Sequence, residues 1–267
     1  MKSHATRLLA LLFSLLPFSV LSAYADSIDL GTAGSYAVLA GSTVTNTGSS
    51  VLFGNLGVSP GTAVTGFPPG IVHGTINAAN AAAAQAQLDL TTAYNQAAGL
   101  KSTGALAGTI GTATLTSGVY SFSSSALLTG TLTLTGKPGA VFVFQVPSTL
   151  TTASGSSIIF INSLTGKPTS DPNIFWQVDS SATLGTSTAF EGNILALTSI
   201  SLNTGATITC GSALARNGSV TLQGNTIVSC SSGVVSTVPE AGTMGLLGTG
   251  LIILAVATRR KLRLQHI

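Results

Sequence analysis

Apolar and polar positions alternate in short runs through most of the chain. Val141-Phe142-Val143-Phe144-Gln145, Ser157-Ile158-Ile159-Phe160-Ile161 and Asn173-Ile174-Phe175-Trp176-Gln177-Val178 are examples. A period of two predicts half-buried strands, and the Gly, Ser, Thr and Asn between the runs predict turns. In the second half the runs repeat. Thr149-Leu150-Thr151, Ala182-Thr183-Leu184, Ser199-Ile200-Ser201-Leu202-Asn203 and Ser219-Val220-Thr221-Leu222-Gln223 form one series, the last three at intervals of about 18 to 20 residues. The first interval is longer because Thr165 to Pro172 reads as an inserted loop. Between successive members lie two further strands. One is polar-mixed (Phe190-Glu191-Gly192, Thr207-Ile208-Thr209-Cys210, Thr226-Ile227-Val228). The other is more apolar (Asn193-Ile194-Leu195-Ala196-Leu197, Ser212-Ala213-Leu214-Ala215). Three short strands per repeat, aimed at one interior, predict a mainly β chain folded as a three-sided β-solenoid.

One segment departs from this period. Asn77 to Ala98 is Ala-rich, with Ala83, Leu90, Tyr94 and Ala97 at helical spacing and Gly99 as a stop signal. A helix of about 77–98 with a stripe of small residues suits close docking along a flat sheet.

Alternation also assigns sides. Ile200 and Leu202 point in, so Ser199, Ser201 and Asn203 point out. Val220 and Leu222 point in, leaving Ser219, Thr221 and Gln223 outside. Thr183 stands out beside Leu184, and Thr149 and Thr151 beside Leu150. Stacked, these form an uncharged ladder of small hydroxyl and amide groups, repeating every ~6.6 Å along a strand and ~4.8 Å across rungs. Cys210 and Cys230 lie one coil apart in this register. A rung spacing of ~4.8 Å falls within the Cα separation that a disulfide spans. Two unpaired buried thiols are the other arrangement open to them.

The ends change the picture of charge. Lys2 and Arg7, the apolar run Leu8 to Leu21 and Ala23-Tyr24-Ala25 make a secretory signal over 1–25, placing the mature chain in an exported, disulfide-permissive setting. At the other end Val238-Pro239-Glu240-Ala241-Gly242 precedes an apolar stretch, Met244 to Thr258, and then Arg259, Arg260, Lys261 and Arg263. That order resembles the PEP-CTERM sorting tail, although Pro239-Glu240-Ala241 lacks the second proline. The resemblance implies exosortase-like processing of a tail over 238–267, with transient membrane anchoring and a cell-surface or extracellular destination. A plain C-terminal anchor is the alternative. The formal +3 charge comes from these ends. Between Asp26 and Val238 the bases are Lys101, Lys137, Lys167 and Arg216, against Asp26, Asp29, Asp89, Asp171, Asp179 and Glu191. A near-neutral body argues against nucleic acid, which requires a basic patch.

Candidate chemistry is sparse. His73 is the lone histidine of the mature body and reads as a surface residue in a loop before the helix, so neither a triad nor a His-based zinc site is suggested. Asp171 lies in a Pro-flanked turn, Asp179 ends a strand, and Glu191 reads as an acceptor for local backbone donors. These acids do not recur at one coil position, which argues against a glycosidase-like carboxylate pair. No catalytic residue, metal or cofactor is expected.

Against this background one resemblance spans nearly the whole mature body. Leu30-Gly31-Thr32-Ala33-Gly34-Ser35-Tyr36-Ala37-Val38-Leu39-Ala40-Gly41, Gly54-Asn55-Leu56-Gly57-Val58-Ser59-Pro60-Gly61, Thr92-Ala93-Tyr94-Asn95-Gln96-Ala97-Ala98-Gly99 and Leu202-Asn203-Thr204-Gly205-Ala206 are similar, in order, to the DUF3494 ice-binding proteins. The resemblance implies a discontinuous right-handed β-solenoid over 26–237, with one long α-helix alongside. It also implies a monomer that binds the ice surface through one flat face, giving thermal hysteresis and inhibiting recrystallisation. Carried over, the face comprises Thr43, Thr45 and Thr65 from the N-terminal part. Thr149, Thr151, Thr183, Ser199, Ser201, Asn203, Ser219, Thr221 and Gln223 continue it, with Gly185 interrupting the ladder. A structural or adhesive matrix solenoid is the alternative function.

Overall fold

The computed structural model describes residues 28–171 and 173–230. The signal expected over 1–25 and the tail expected over 238–267 lie outside them. Three parallel sheets form the walls of the solenoid, and each turn of the chain contributes a short strand to each wall. Sheet A has nine strands. In spatial order they are Ile76–Ala78, Asn55–Val58, Tyr36–Ala40, Ala213–Ala215, Asn193–Ala196, Ile174–Val178, Phe142–Val146, Gly118–Phe122 and Gly104–Leu106. Sheet B runs through Ala63–Thr65, Thr43–Thr47, Val220–Gln223, Ile200–Leu202, Ala182–Leu184, Leu150–Thr152, Ala126–Leu128 and Thr109–Ile110. Sheet C forms the third wall, from Ala113–Thr116 at one end to Ile71–His73 at the other.

The stacking order differs from the chain order. The first coil stacks on the second on one side, but its other side does not meet a coil near it in sequence. Instead Val38 pairs with Ala213, Thr45 with Thr221 and Val51 with Thr226, so the N-terminal coils cap the C-terminal ones. After Ile76–Ala78 the chain stands at one end of sheet A, and it resumes with Gly104–Leu106 at the other end. The helix Ala81–Gly99 makes that journey. At 1.5 Å per residue it covers about 28 Å, most of the ~38 Å across nine strands.

The helix begins later than its composition predicted. Asn77 and Ala78 instead pair with Gly57 and Val58 in sheet A. Asn80 is the N-cap, its side chain accepting the Ala83 N–H at 3.0 Å. Small residues (Ala83, Ala86, Ala93, Ala97) with Leu90 and Tyr94 face the sheet and are buried. They meet the outer side chains of sheet A, Leu39, Leu214, Leu195, Phe175, Val143 and Val119. Polar clamps fix the docking. Tyr94 donates its hydroxyl to Asp179, Arg216 lies 4.6 Å over the Tyr94 ring, and Gln145 Nε2 donates to the Ala97 and Leu100 carbonyls at 2.8 Å each.

The interior is apolar along its length. Aromatic side chains stack within it, with Phe144 on Trp176 at 3.9 Å and Phe190 tilted against Trp176 at 5.4 Å. The corner between sheets B and C requires a left-handed backbone in successive coils. Gly48 and Gly205 supply it at φ 83° and 70° without steric cost, while Ser187 adopts 55°. Cys210 and Cys230 form a disulfide across neighbouring coils, with Cα atoms 4.5 Å apart. The inserted segment is a short antiparallel strand, Lys167–Thr169, paired with Phe160 to Asn162 on sheet C.

Candidate functional site

The three walls differ in what they leave open. The outer side of sheet A lies under the helix. Sheet C is uneven: the Lys167–Thr169 hairpin adds to it, and Phe53 and His73 stack at 4.7 Å near one end, with Ile71 52% exposed beside them. His73 is therefore a strand residue, not part of a loop. Among the described residues, sheet B carries neither a covering element nor a charged outward side chain.

Register brings one outward hydroxyl residue from each of six neighbouring strands of sheet B into a single rank. Thr65 stands opposite Thr45, Thr45 opposite Thr221, Thr221 opposite Ser201, Ser201 opposite Thr183 and Thr183 opposite Thr151. These six residues come from two distant parts of the chain and form an unbroken row. Inward neighbours such as Val44, Leu150, Leu184, Ile200, Leu202 and Val220 are buried, so the hydroxyl residues have no inward alternative. β-branched Thr favours a strand and is stiff at χ1, so the row is held with little rotamer freedom.

The hydroxyls of the row are left to solvent. Among the described residues, Thr65, Thr45, Thr221, Ser201, Thr183 and Thr151 make no side-chain hydrogen bond to the protein. The rank beside it behaves differently. Ser199 Oγ accepts the Ser219 N–H at 3.1 Å, and Ser181 Oγ accepts the Ser199 N–H at 3.3 Å. Thr149 donates to Ser125 Oγ at 3.0 Å. This second rank thus stitches rungs together. On the other flank Thr47 stands opposite Gln223, and Thr204 donates to Gln223 Oε1 at 3.3 Å.

All the residues expected on the face lie on sheet B or at its strand ends. Thr43, Thr45, Thr65, Thr151, Thr183, Ser201, Thr221 and Gln223 are within strands, and Thr149, Ser199, Asn203 and Ser219 adjoin them. One detail is corrected. Gly185 follows the Leu184–Leu202 pair and so sits in the flank beside Asn203, leaving the central row intact. An added Cβ there would meet the Thr152 carbonyl oxygen at 2.4 Å, so Gly185 serves close coil stacking. Thr47, Ser125, Ser181, Leu127 and Thr109 also belong to the face and were not anticipated. Thr47 was readable from the alternation of Thr43-Val44-Thr45-Asn46-Thr47.

The acids serve the backbone. Asp171 is buried and accepts the Gly139 and Asn173 N–H groups, each at 2.9 Å. Glu191, 5% exposed, accepts the Asp171 N–H at 3.0 Å. Burial, helped by the nearby Asp171 carboxylate, pushes the Glu191 carboxyl up to about 7 against the opposing pull of its backbone donors. Among the described residues no three His, Cys, Asp or Glu side chains converge as a metal site.

Among the described residues sheet B thus presents a long, uncharged row of hydroxyls without protein partners, an arrangement suited to ordering water. The family profile described as Ice-binding-like matches residues 38–228. The chain belongs to the ice-binding-like family. An ice-binding protein of Nostoc sp. (strain HG1) is 54% identical over 241 residues, covering 88% of this chain and 87% of that protein. One from Flavobacterium frigoris (strain PS1) is 35% identical over 220 residues, covering 76% of each. Among solved structures, an ice-binding protein of the Antarctic ascomycete Antarctomyces psychrotrophicus superposes with a TM-score of 0.72 at 40% identity, covering 77% of this chain and 100% of that one. The antifreeze ice-binding protein of an Arctic yeast gives 0.69 at 32% identity, covering 76% and 94%. A second profile, the PEP-CTERM protein-sorting motif, matches residues 237–261.

Proposed function

We propose that the chain is an exported antifreeze protein that adsorbs to ice through sheet B and catalyses no reaction. The observation that carries this reading is the unbroken row Thr65, Thr45, Thr221, Ser201, Thr183, Thr151, whose hydroxyls are free of protein partners. Row neighbours repeat every ~4.8 Å and alternate residues every ~6.6 Å, near repeats of the ice lattice. Each Thr offers a hydroxyl that anchors one water and a methyl that favours cage-like water around it. Short side chains on a stacked β scaffold lose little entropy when the facing water orders. Adsorbed molecules force ice to grow as curved fronts between them, which lowers the local freezing point and blocks recrystallisation. The face carries no titratable group, so binding is independent of pH over the range where the fold is stable.

The described chain ends at Cys230, just past the last strand of sheet C, at the corner across from sheet B. The PEP-CTERM match over residues 237–261 supports display at the cell surface after exosortase-like processing.

An ice-affinity partition of residues 26–238 tests the reading, with Thr183→Tyr as its partner. The parent is expected to enter growing ice and to give thermal hysteresis. Thr183→Tyr, whose ring stands above the row, is expected to be excluded from ice while keeping the parent's circular dichroism and melting curve. A parent that stays in the liquid marks the solenoid as a matrix spacer instead. A tyrosine variant that partitions like the parent moves the contact off sheet B.

A further inference from the structure

We infer that Leu127 terminates the ice-contacting row, so that the working face spans six rungs of a sheet that has eight. The inference rests on the sheet B reading above and asks where on that sheet contact ends. In register, Leu127 stands opposite Thr151 on one side and Thr109 on the other. It is 36% exposed and points outward, while its neighbours Ala126 and Leu128 are buried. Without it the row of hydroxyls would run on to Thr109.

Two properties of leucine interrupt the row. Its side chain branches at Cγ and ends at Cδ, one bond of about 1.5 Å beyond the reach of a Thr hydroxyl or methyl. A plane resting on Thr151 therefore meets a ridge at the next rung, and Thr109 behind the ridge is held off. Leucine also supplies no donor or acceptor, so the water above it has nothing to anchor to.

The flanks at this end are bonded to the protein, as they are beside the central rungs. Ser125 donates to Ser148 Oγ at 3.0 Å and receives the Thr149 hydroxyl at 3.0 Å, while Thr129 turns back to the Ile110 carbonyl at 3.4 Å. Among the described residues Thr109, like the central row, makes no side-chain hydrogen bond to the protein, so the row is interrupted by the Leu127 side chain itself and not by a change in the flanks.

The test compares thermal hysteresis at equal concentration for the parent, Leu127→Ala, Leu127→Thr and Thr183→Tyr. Leu127 is an outward strand residue, so unchanged melting curves are expected for both of its variants. Leu127→Ala removes the ridge and should give a small gain. Leu127→Thr removes the ridge and restores the hydroxyl, extending contact from six rungs to all eight, a gain of about one third if adsorption follows contact area. A Leu127→Thr variant equal to or weaker than the parent, alongside an inactive Thr183→Tyr, overturns the boundary at Leu127 while leaving sheet B as the ice face. Full activity in Thr183→Tyr overturns the sheet B reading and this inference with it.

Discussion

The Ser50 hydroxyl accepts the backbone N–H of Asn225 at 2.9 Å, across 175 residues of sequence. The same hydroxyl donates to Asn46 Oδ1 at 2.6 Å, so the first coil and the last share one buried hydrogen-bonded corner. Thr45 and Thr221, paired on adjoining strands, owe their side-by-side placement to this seam.

Asn225 should be the most sensitive polar residue of that corner. Its Nδ2 donates to the Asn203 and Ala206 carbonyls at 2.8 and 2.9 Å, its Oδ1 accepts the Gln223 N–H, and it is 1% exposed. Asn225→Ala strands buried backbone groups and is expected to cost about 2 to 4 kcal/mol. Denaturant unfolding of residues 26–238 measures it; a loss within error of zero would show that water replaces the side chain.

Leu90 gives a stability effect separate from the face. It is fully buried between the helix and sheet A, on a different wall from sheet B. Leu90→Ala is expected to cost about 3 kcal/mol through lost burial and a residual cavity. Hysteresis measured near freezing should stay at the parent level. A variant with lost hysteresis but unchanged unfolding would assign the helix a part in ice contact.

Glu191 sets a pH dependence of opposite sign to the usual carboxylate. Its folded carboxyl is raised to about 7 from an ordinary 4.5, so the folded state favours the protonated form. The stabilisation is complete below the ordinary value and is lost as pH rises through the folded one. The melting temperature should therefore fall between about pH 5 and 7. In Glu191→Gln, which keeps an acceptor for the Asp171 N–H, that slope should flatten. Melting curves at several pH values decide it, and an equal slope in both proteins would mean that another group titrates.

Much of the architecture was legible because a solenoid repeats one physical problem. Each coil needs an inward apolar residue beside an outward polar one, and the pairs Thr183–Leu184, Ser201–Leu202 and Thr221–Leu222 reveal both the wall and the side. From the residues themselves, nothing in Thr43-Val44-Thr45 says that its neighbour is Val220-Thr221-Leu222; the family resemblance put both on one face, and only the register of the fold makes them adjacent, since stacking partners leave no local trace. Leu127 was missed because Ala126-Leu127-Leu128 reads as an apolar run without alternation. Thr109 was missed because its strand has only two residues. The helix start was misread because Asn77 and Asn80 both suit a cap, and only the pairing of Asn77 with Gly57 decides between them.

The interleaved stacking also fixes when the molecule can become active. Thr45 and Thr65 are made early and their strands pair with each other, but the strand that joins Thr45 to the rest of the row, Val220–Gln223, is among the last to emerge during synthesis. The first coils therefore wait, unpaired on their inner edge, until nearly the whole chain is available. Such distant contacts make for slow folding. The row Thr65, Thr45, Thr221, Ser201 thus becomes continuous only once the final coil has been made and has docked on the first.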